Sequence, residues 1–274
     1  MLQTVHPLEN ENQLAFQEAS HTYWFNGKKV PISVTSFLKP ILSGEDEFDA
    51  DAIIRKNLYS WRHNASSKYH LAIAGLTDDD AAARIKQLWD ETRNRGTKLH
   101  ALLEDVCNGK TVSTADRIDF ASELDQYEHF RHDYDWMPFR TELCVAATRC
   151  EDANQPALAG SIDALYTSHG PNQKNVYIVD YKRTPKDLTP TGPSYGKRAN
   201  HASFCHRPLN EHLKYACQLA TYRILLKKFY GLDTHGAYLL QLHKDLPHYN
   251  LIPVLDLRDE IHHILCESGV DVNP

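Results

Sequence analysis

The chain lacks any apolar run near the roughly 20 residues that a bilayer-spanning helix requires, which excludes a helical membrane protein among its 274 residues. The opening Met1-Leu2-Gln3-Thr4-Val5-His6 has neither the basic start nor the apolar stretch of a secretory signal, and the acids after it do not suit an organelle transit peptide. A soluble, intracellular protein is expected, with the compartment open. The six cysteines, at 107, 144, 150, 205, 217 and 266, form no Cys-x-x-Cys pair. A zinc or iron–sulfur clamp is therefore not predicted, and reduced thiols packed as small core residues are. Positive charge is in deficit too. A formal charge of −6 excludes nonspecific nucleic-acid binding by bulk attraction. No motif marks an activated serine or cysteine, so a hydrolase with a covalent nucleophile, whose signature would be indifference to a chelator, has nothing to rest on. Internal repeats, low-complexity tracts and Gly/Ser linkers are absent.

What is present is an ordinary folding composition, 42% hydrophobic and 24% charged. Single cores stop growing near roughly 250 to 300 residues, so one domain with insertions is expected: an N-terminal hairpin and helical extension at 1–88, continuous with a core at 89–274. Residues 21–25 and 28–34 are β-prone and joined by Asn26-Gly27, a pair that favours the positive φ of a hairpin turn. From Thr77, three aspartates open a helix at the positive end of its dipole, with Ile85, Leu88 and Trp89 as its apolar stripe. Further helices are predicted at 99–106 and at about 116–134, the latter with Ile118, Leu124, Tyr127 and Phe130 inward. Strands follow at 139–148, 158–167 and 176–182, the last two joined by the turn region 168–175. A helix at 211–229, strands at 237–242 and 251–255 and a short final helix complete the order. The Pro- and Gly-containing stretch 184–208 is the one internal segment predicted to lack order. Trp24, Trp61, Trp89 and Trp136 are assigned to the core or to interfaces, and most of the sixteen histidines to surface or packing roles.

Asp163 and Asp180 are equidistant from the centre of the turn between the second and third of those strands. A symmetric hairpin sets them nearly opposite each other on strands about 4.7 to 4.9 Å apart. Facing carboxylates repel unless a cation lies between them, and their hard oxygens suit Mg²⁺ or Mn²⁺ better than zinc. Lys182, two residues beyond Asp180, shares its face of the strand. A cation that polarises a phosphoryl group and acidifies a bound water, beside an ammonium that steadies the hydroxide and the added charge, is what phosphodiester hydrolysis requires. Taken alone, Asp-x-Lys more often describes strand-end acids beside a solvated lysine. Here Asp180 follows the apolar Val176-Tyr177-Ile178-Val179, where an unpaired carboxylate is costly.

Gly160-Ser161-Ile162-Asp163, followed after a loop by Ile178-Val179-Asp180-Tyr181-Lys182-Arg183, resembles motifs II and III of the PD-(D/E)XK nuclease superfamily. The Asp-x-Lys form is similar to the branch of the RecB nuclease domain and related phage and large-virus exonucleases. Upstream, Gly96-Thr97-Lys98-Leu99-His100-Ala101-Leu102-Leu103-Glu104 resembles that branch's G-T-x-x-H-x-x-x-E helix, and downstream Gln218-Leu219-Ala220-Thr221-Tyr222 resembles its Q-x-x-x-Y helix. Residues four apart share a helix face, so each motif presents two polar side chains to one place. The resemblance covers roughly 89–230 and draws its strength from the order of the motifs. It implies an α/β fold with a PD-(D/E)XK restriction-endonuclease-like core, a central mixed sheet flanked by helices. It also implies that Asp163 and Asp180 bind one or two Mg²⁺ or Mn²⁺ ions, that His100 completes the site and that the carbonyl of Tyr181 adds an oxygen. Lys182 would assist the attacking water, with Gln218 and Tyr222 in support. Glu104 and Glu142 are additional acidic candidates, Glu142 being as readily an ordinary exposed glutamate.

Between Lys182 and Arg207 stand six basic residues and one acid, Asp187, whereas 45–51 and 78–80 are strongly acidic. Leaving directly from the strand of Asp180, this stretch is either a solvated loop or a phosphate-tracking one. On the second reading Arg183, Lys186, Lys197, Arg198 and Arg207 contact the DNA backbone, and Tyr195 or Phe204 stacks on an unpaired base. The expected activity is a metal-dependent deoxyribonuclease, preferably an exonuclease acting on DNA ends in replication, recombination or repair, with the N-terminal extension forming one wall of a channel. An endonuclease of the same fold is the nearest rival. A nuclease-derived module that binds nucleic acid or a protein without cutting is a rival of another class.

Overall fold

A computed structural model describes residues 1–43, 49–168 and 176–273. The chain forms two compact units, Asp46–Ala101 by itself and Met1–Glu45 together with Leu102–Pro274. The N-terminal hairpin belongs to the larger unit. The larger unit opens with α1 (Leu2–Val5) and a three-stranded antiparallel sheet of β1 (Leu14–Gln17), β2 (Thr22–Phe25) and β3 (Lys28–Lys29). Asn26 and Gly27 take φ of 47° and 74°, the left-handed pair that a type I′ turn needs. Beyond the turn the Ile32 carbonyl oxygen accepts from the N–H of Ala159 at 3.3 Å, and Ser33 bridges to Ala159 in parallel. Those bonds stitch the hairpin to the main sheet rather than to the helices that follow it in sequence. Residues 30–34 do not extend the strand as expected, because Val34 begins α2 (Val34–Ser43), whose Val34, Leu38, Ile41 and Leu42 form a buried helical stripe.

In the smaller unit, α3 (Ala50–His63) starts at Asp49, whose carboxylate accepts from the N–H of Ala52 at 2.9 Å. Then α4 (Asp78–Cys107) begins on the expected aspartates and runs unbroken for 30 residues. It joins two predicted helices, since Gly96 within it costs only about 1 kcal/mol relative to alanine. Ile54, Leu58, Tyr69, Ile73, Ala81 and Ile85 pack together, and the Trp89 indole N–H donates to the Tyr69 hydroxyl at 2.6 Å.

The rest of the larger unit is built on one sheet. The predicted helix at 116–134 is instead two, α5 (Thr114–Asp119) and α6 (Ala121–Asp133), because the fully buried Phe120 leaves helical conformation at φ −117°. Leu124, Tyr127 and Phe130 are buried as expected, whereas Ile118 is 76% exposed. The strands β4 (Trp136–Thr148), β5 (Pro156–Ser168), β6 (Val176–Lys182), β7 (Thr234–Gln241) and β8 (Asn250–Pro253) lie in sequence order. All neighbours are antiparallel except β6 and β7. A parallel step needs a crossover, which is supplied by α7 (Glu211–Tyr230), with Asn210 accepting from the N–H of Leu213 at its start and Gly231 left-handed at its end. The final helix is α8 (Arg258–Glu267). The result is the expected mixed sheet flanked by helices. The turn proposed for 168–175 lies almost wholly outside the described residues.

The segment leading from β6 to α7 corrects the expectation of disorder. Leu188, Ala199 and Phe204 are buried within it. The Asn210 amide donates to the carbonyls of Pro190 and Gly192, and the Gln241 amide to those of Thr184 and Lys186. His201 N–H reaches the Ile41 carbonyl at 2.9 Å. Because these bonds go to partners remote in sequence, local composition did not reveal them. All six cysteines are free thiols, and no helix among the described residues is long and apolar enough to cross a membrane.

Candidate functional site

The site grows from strand register. Pairing of Ala164 with Val179 and Leu165 with Ile178, carried one step further, sets Asp163 opposite Asp180. Pairing of Thr141 with Ala164 and Leu143 with Ile162 sets Glu142 opposite Asp163. Three acidic residues thus occupy matching positions on three adjacent strands. At Glu142 the backbone turns left-handed, φ 46° in mid-strand. A non-glycine residue there stores roughly 1 to 3 kcal/mol, and such strain gathers at functional sites. Ser161 Oγ donates to the Glu142 carboxylate at 3.0 Å.

His100 lies on α4, two residues before the point at which that helix enters the larger unit. His100 thus belongs to the smaller unit, and Glu142 and Asp163 to the larger. The facing carboxylates of Glu142, Asp163 and Asp180 are hard oxygen donors, of the kind that suits Mg²⁺ or Mn²⁺ better than a soft metal. Glu142 is exposed, as an ordinary surface acid would be, and it is set apart by its left-handed backbone and its place opposite Asp163. Burial first, and then the charge of Asp163, raise its carboxyl above the usual range, with the Ser161 hydrogen bond opposing. Water reaches the exposed Glu142 and screens part of this. Glu104 lines a polar recess of about 250 Å³ with Glu142, Asn108, Lys110 and Arg140, and burial raises its carboxyl as well.

Asp180 turns to Lys182: its Oδ2 is 2.5 Å from Nζ, with the two side chains 5% and 18% exposed. Burial disfavours the lysine's charge, but the Asp180 and Asp163 carboxylates outweigh it, and the pKa stands above the ordinary value. Lys182 is thus a fixed cation, suited to steadying negative charge and unsuited to taking a proton. On α7 the Gln218 amide donates to the Tyr222 hydroxyl at 3.1 Å, as the helical spacing of that pair predicts. Tyr222 packs so closely on Gly160 that a Cβ there would stand 2.6 Å from the ring. Sequence reading missed Tyr215, whose ring centroid is 4.4 Å from Lys182 Nζ. The signal was available, because 215, 218 and 222 fall on one helical stripe.

The Tyr181 N–H donates to Asp163 Oδ2 at 2.9 Å. In an extended strand the N–H and C=O of one residue point to the same edge, which keeps the Tyr181 carbonyl on the side of β5. Its side chain leaves by the other face, joining the hydroxyls of Tyr166 at 2.8 Å and, through it, Tyr127 at 2.9 Å, beside the Cys107 thiol.

The basic segment is only partly available for phosphate. Arg183 is corrected from a surface contact to a buried partner of Glu123, 2.7 Å away, with side chains 4% and 2% exposed. Phe204 is fully buried and excluded from stacking. Arg198 donates to the His206 carbonyl at 2.9 Å and Arg207 lies 3.8 Å from Glu260. Lys186, Tyr195 and Lys197 are exposed, Tyr195 on the left-handed turn it shares with Gly196. No model of a known protein family matches this sequence, and no curated protein matches it.

Proposed function

We propose that this chain is a metal-dependent nuclease of the PD-(D/E)XK type that hydrolyses phosphodiester bonds in DNA, acting by preference on DNA ends. The observation that carries this reading is the row of Glu142, Asp163 and Asp180 across β4, β5 and β6, with Lys182 paired to Asp180 on the same strand face. Bound by His100, Glu142 and Asp163, with Asp180 and the Tyr181 carbonyl as further oxygens, Mg²⁺ or Mn²⁺ would acidify a water and polarise the scissile phosphate. Lys182, held charged, donates to the attacking oxygen and to the charge that builds on the phosphoryl oxygens. The Gln218 and Tyr222 pair borders Gly160, three residues from Asp163 on the same strand, and holds that strand from the helix side. Lys186 and Lys197 contact phosphates without reading bases, and Tyr195 offers a ring to an unpaired base.

The test is digestion of end-labelled linear and closed circular DNA, single- and double-stranded, with Mg²⁺, Mn²⁺ or a chelator. Metal-dependent loss of linear substrate alone, abolished by Asp180→Ala and Lys182→Ala in folded protein, is the expected result. Cutting of circles would convert the proposal to an endonuclease. Binding without any cleavage under Mn²⁺ would replace it with a non-cutting nucleic-acid module.

A further inference from the structure

We infer that the ring of Tyr215 is a positioning device for Lys182, fixing the direction in which its ammonium donates; this rests on the hydrolytic reading of Asp180 and Lys182. A lysine side chain is a four-carbon stem with freely turning bonds and three N–H donors. Left to itself it presents those donors over a wide arc. Here Nζ is held from two sides, by Asp180 Oδ2 at 2.5 Å and by the face of Tyr215, whose centroid is 4.4 Å away. The carboxylate takes one N–H and the electron-rich ring face attracts the side of the ammonium turned toward it. One donor direction remains, and it is set by the other two.

The ring is itself held. Tyr215 follows the Asn210-capped start of α7 by one turn, and Glu211, four residues earlier, lies beside its phenol while bonding Lys214 at 2.8 Å. Burial first, with the Glu211 and Asp180 carboxylates adding and Lys182 opposing, pushes the phenol up to about 12, so it stays protonated at neutral pH and neither gives nor takes a proton in the reaction. The aromatic face, not the hydroxyl, faces the ammonium. Tyr215 touches no reacting atom and acts only through Lys182.

The experiment compares Tyr215→Phe with Tyr215→Leu in the full chain by two independent measurements. In steady-state cleavage of linear DNA under Mn²⁺, Tyr215→Phe should stay within about threefold of wild type. Tyr215→Leu should lose roughly tenfold to a hundredfold in kcat with KM little changed, as expected when a catalytic group drifts by about an ångström. In NMR spectra of isotope-labelled protein, the Lys182 ε-methylene protons should be shifted upfield by the ring current in wild type and in Tyr215→Phe, and return toward free lysine in Tyr215→Leu. Equal loss of kcat in both variants, or no loss in Tyr215→Leu, overturns the inference, as does a Lys182 signal indifferent to the ring. A wild type that cuts no DNA, yet shows the ring-dependent Lys182 shift, refutes the nuclease reading and leaves the positioning of Lys182 supported.

Discussion

Gly160 has no side chain because Tyr222 occupies the place where one would be. A Cβ built on Gly160 would stand 2.6 Å from Tyr222 Cε1, 3.2 Å from its hydroxyl and 3.1 Å from Val34 Cγ2. Comfortable carbon contacts lie at about 3.5 to 4.0 Å, so in Gly160→Ala the Tyr222 ring must retreat by about 1 Å. Both residues are buried, and the ring has α7 behind it. Overpacking of this kind costs about 1 to 3 kcal/mol. Against it, alanine restricts the unfolded chain and returns about 0.4 to 1 kcal/mol; the clash wins, and the variant is destabilised by about 1 to 2 kcal/mol. For a chain of this size each kcal/mol lowers Tm by about 2 to 4 °C, which calorimetry resolves. Truncation at Tyr222→Leu should open the slot, so the double variant Gly160→Ala/Tyr222→Leu should be more stable than the two single losses summed. In cleavage assays Gly160→Ala should lose activity beyond its loss of folded protein, because the retreating ring takes the Gln218 hydrogen bond with it. Strict additivity, or a Tm equal to wild type, would refute the close-packing argument.

Other expectations follow from the same contacts. Glu123→Ala leaves the buried Arg183 guanidinium without its counter-charge and should cost about 3 to 5 kcal/mol in denaturant unfolding; a loss below 1 kcal/mol would mean that the pair is solvated. His212 is buried, donates from Nδ1–H to the Leu188 carbonyl at 3.0 Å, and has its pKa lowered from 6.5 by burial, the Leu188 bond opposing. Below pH 6.5 the unfolded chain therefore binds the extra proton more readily, so stability should fall as pH drops through that value. His212→Gln should flatten that part of the Tm-against-pH curve, and an unchanged slope would count against a buried neutral imidazole. Mn²⁺ should stabilise the fold by linkage, by about 2.7 kcal/mol at a hundredfold excess over Kd, and so raise Tm, and Glu142→Gln should weaken calorimetric Mn²⁺ binding at least tenfold. Equal binding by both proteins would remove Glu142 from the metal ligands.

Local pattern was enough for the elements that carry the site. The apolar run at 176–179 and the alternation beyond it placed Asp180 and Lys182 on one face of β6, and their ion pair bears this out. Helical spacing paired Gln218 with Tyr222, and Asn26-Gly27 announced its turn. Such features depend on neighbours within a turn of helix or a step of strand, where composition and periodicity act directly. Breaks in continuous helical pattern were harder: Gly96 failed to interrupt α4, while Phe120 did interrupt the helix predicted at 116–134, since a weak propensity yields to the burial of a large ring.

By itself, then, the sequence determined which residues share a strand or a helix face, and with that the alignment of Asp163, Asp180 and Lys182. Only the tertiary structure decided which charges meet. It sent Arg183 inward to Glu123, set the Tyr215 ring on Lys182, ordered the segment after β6 and turned the backbone left-handed at Glu142. Each of these depends on a partner many residues away, and no local period encodes the distance between groups that only packing brings together.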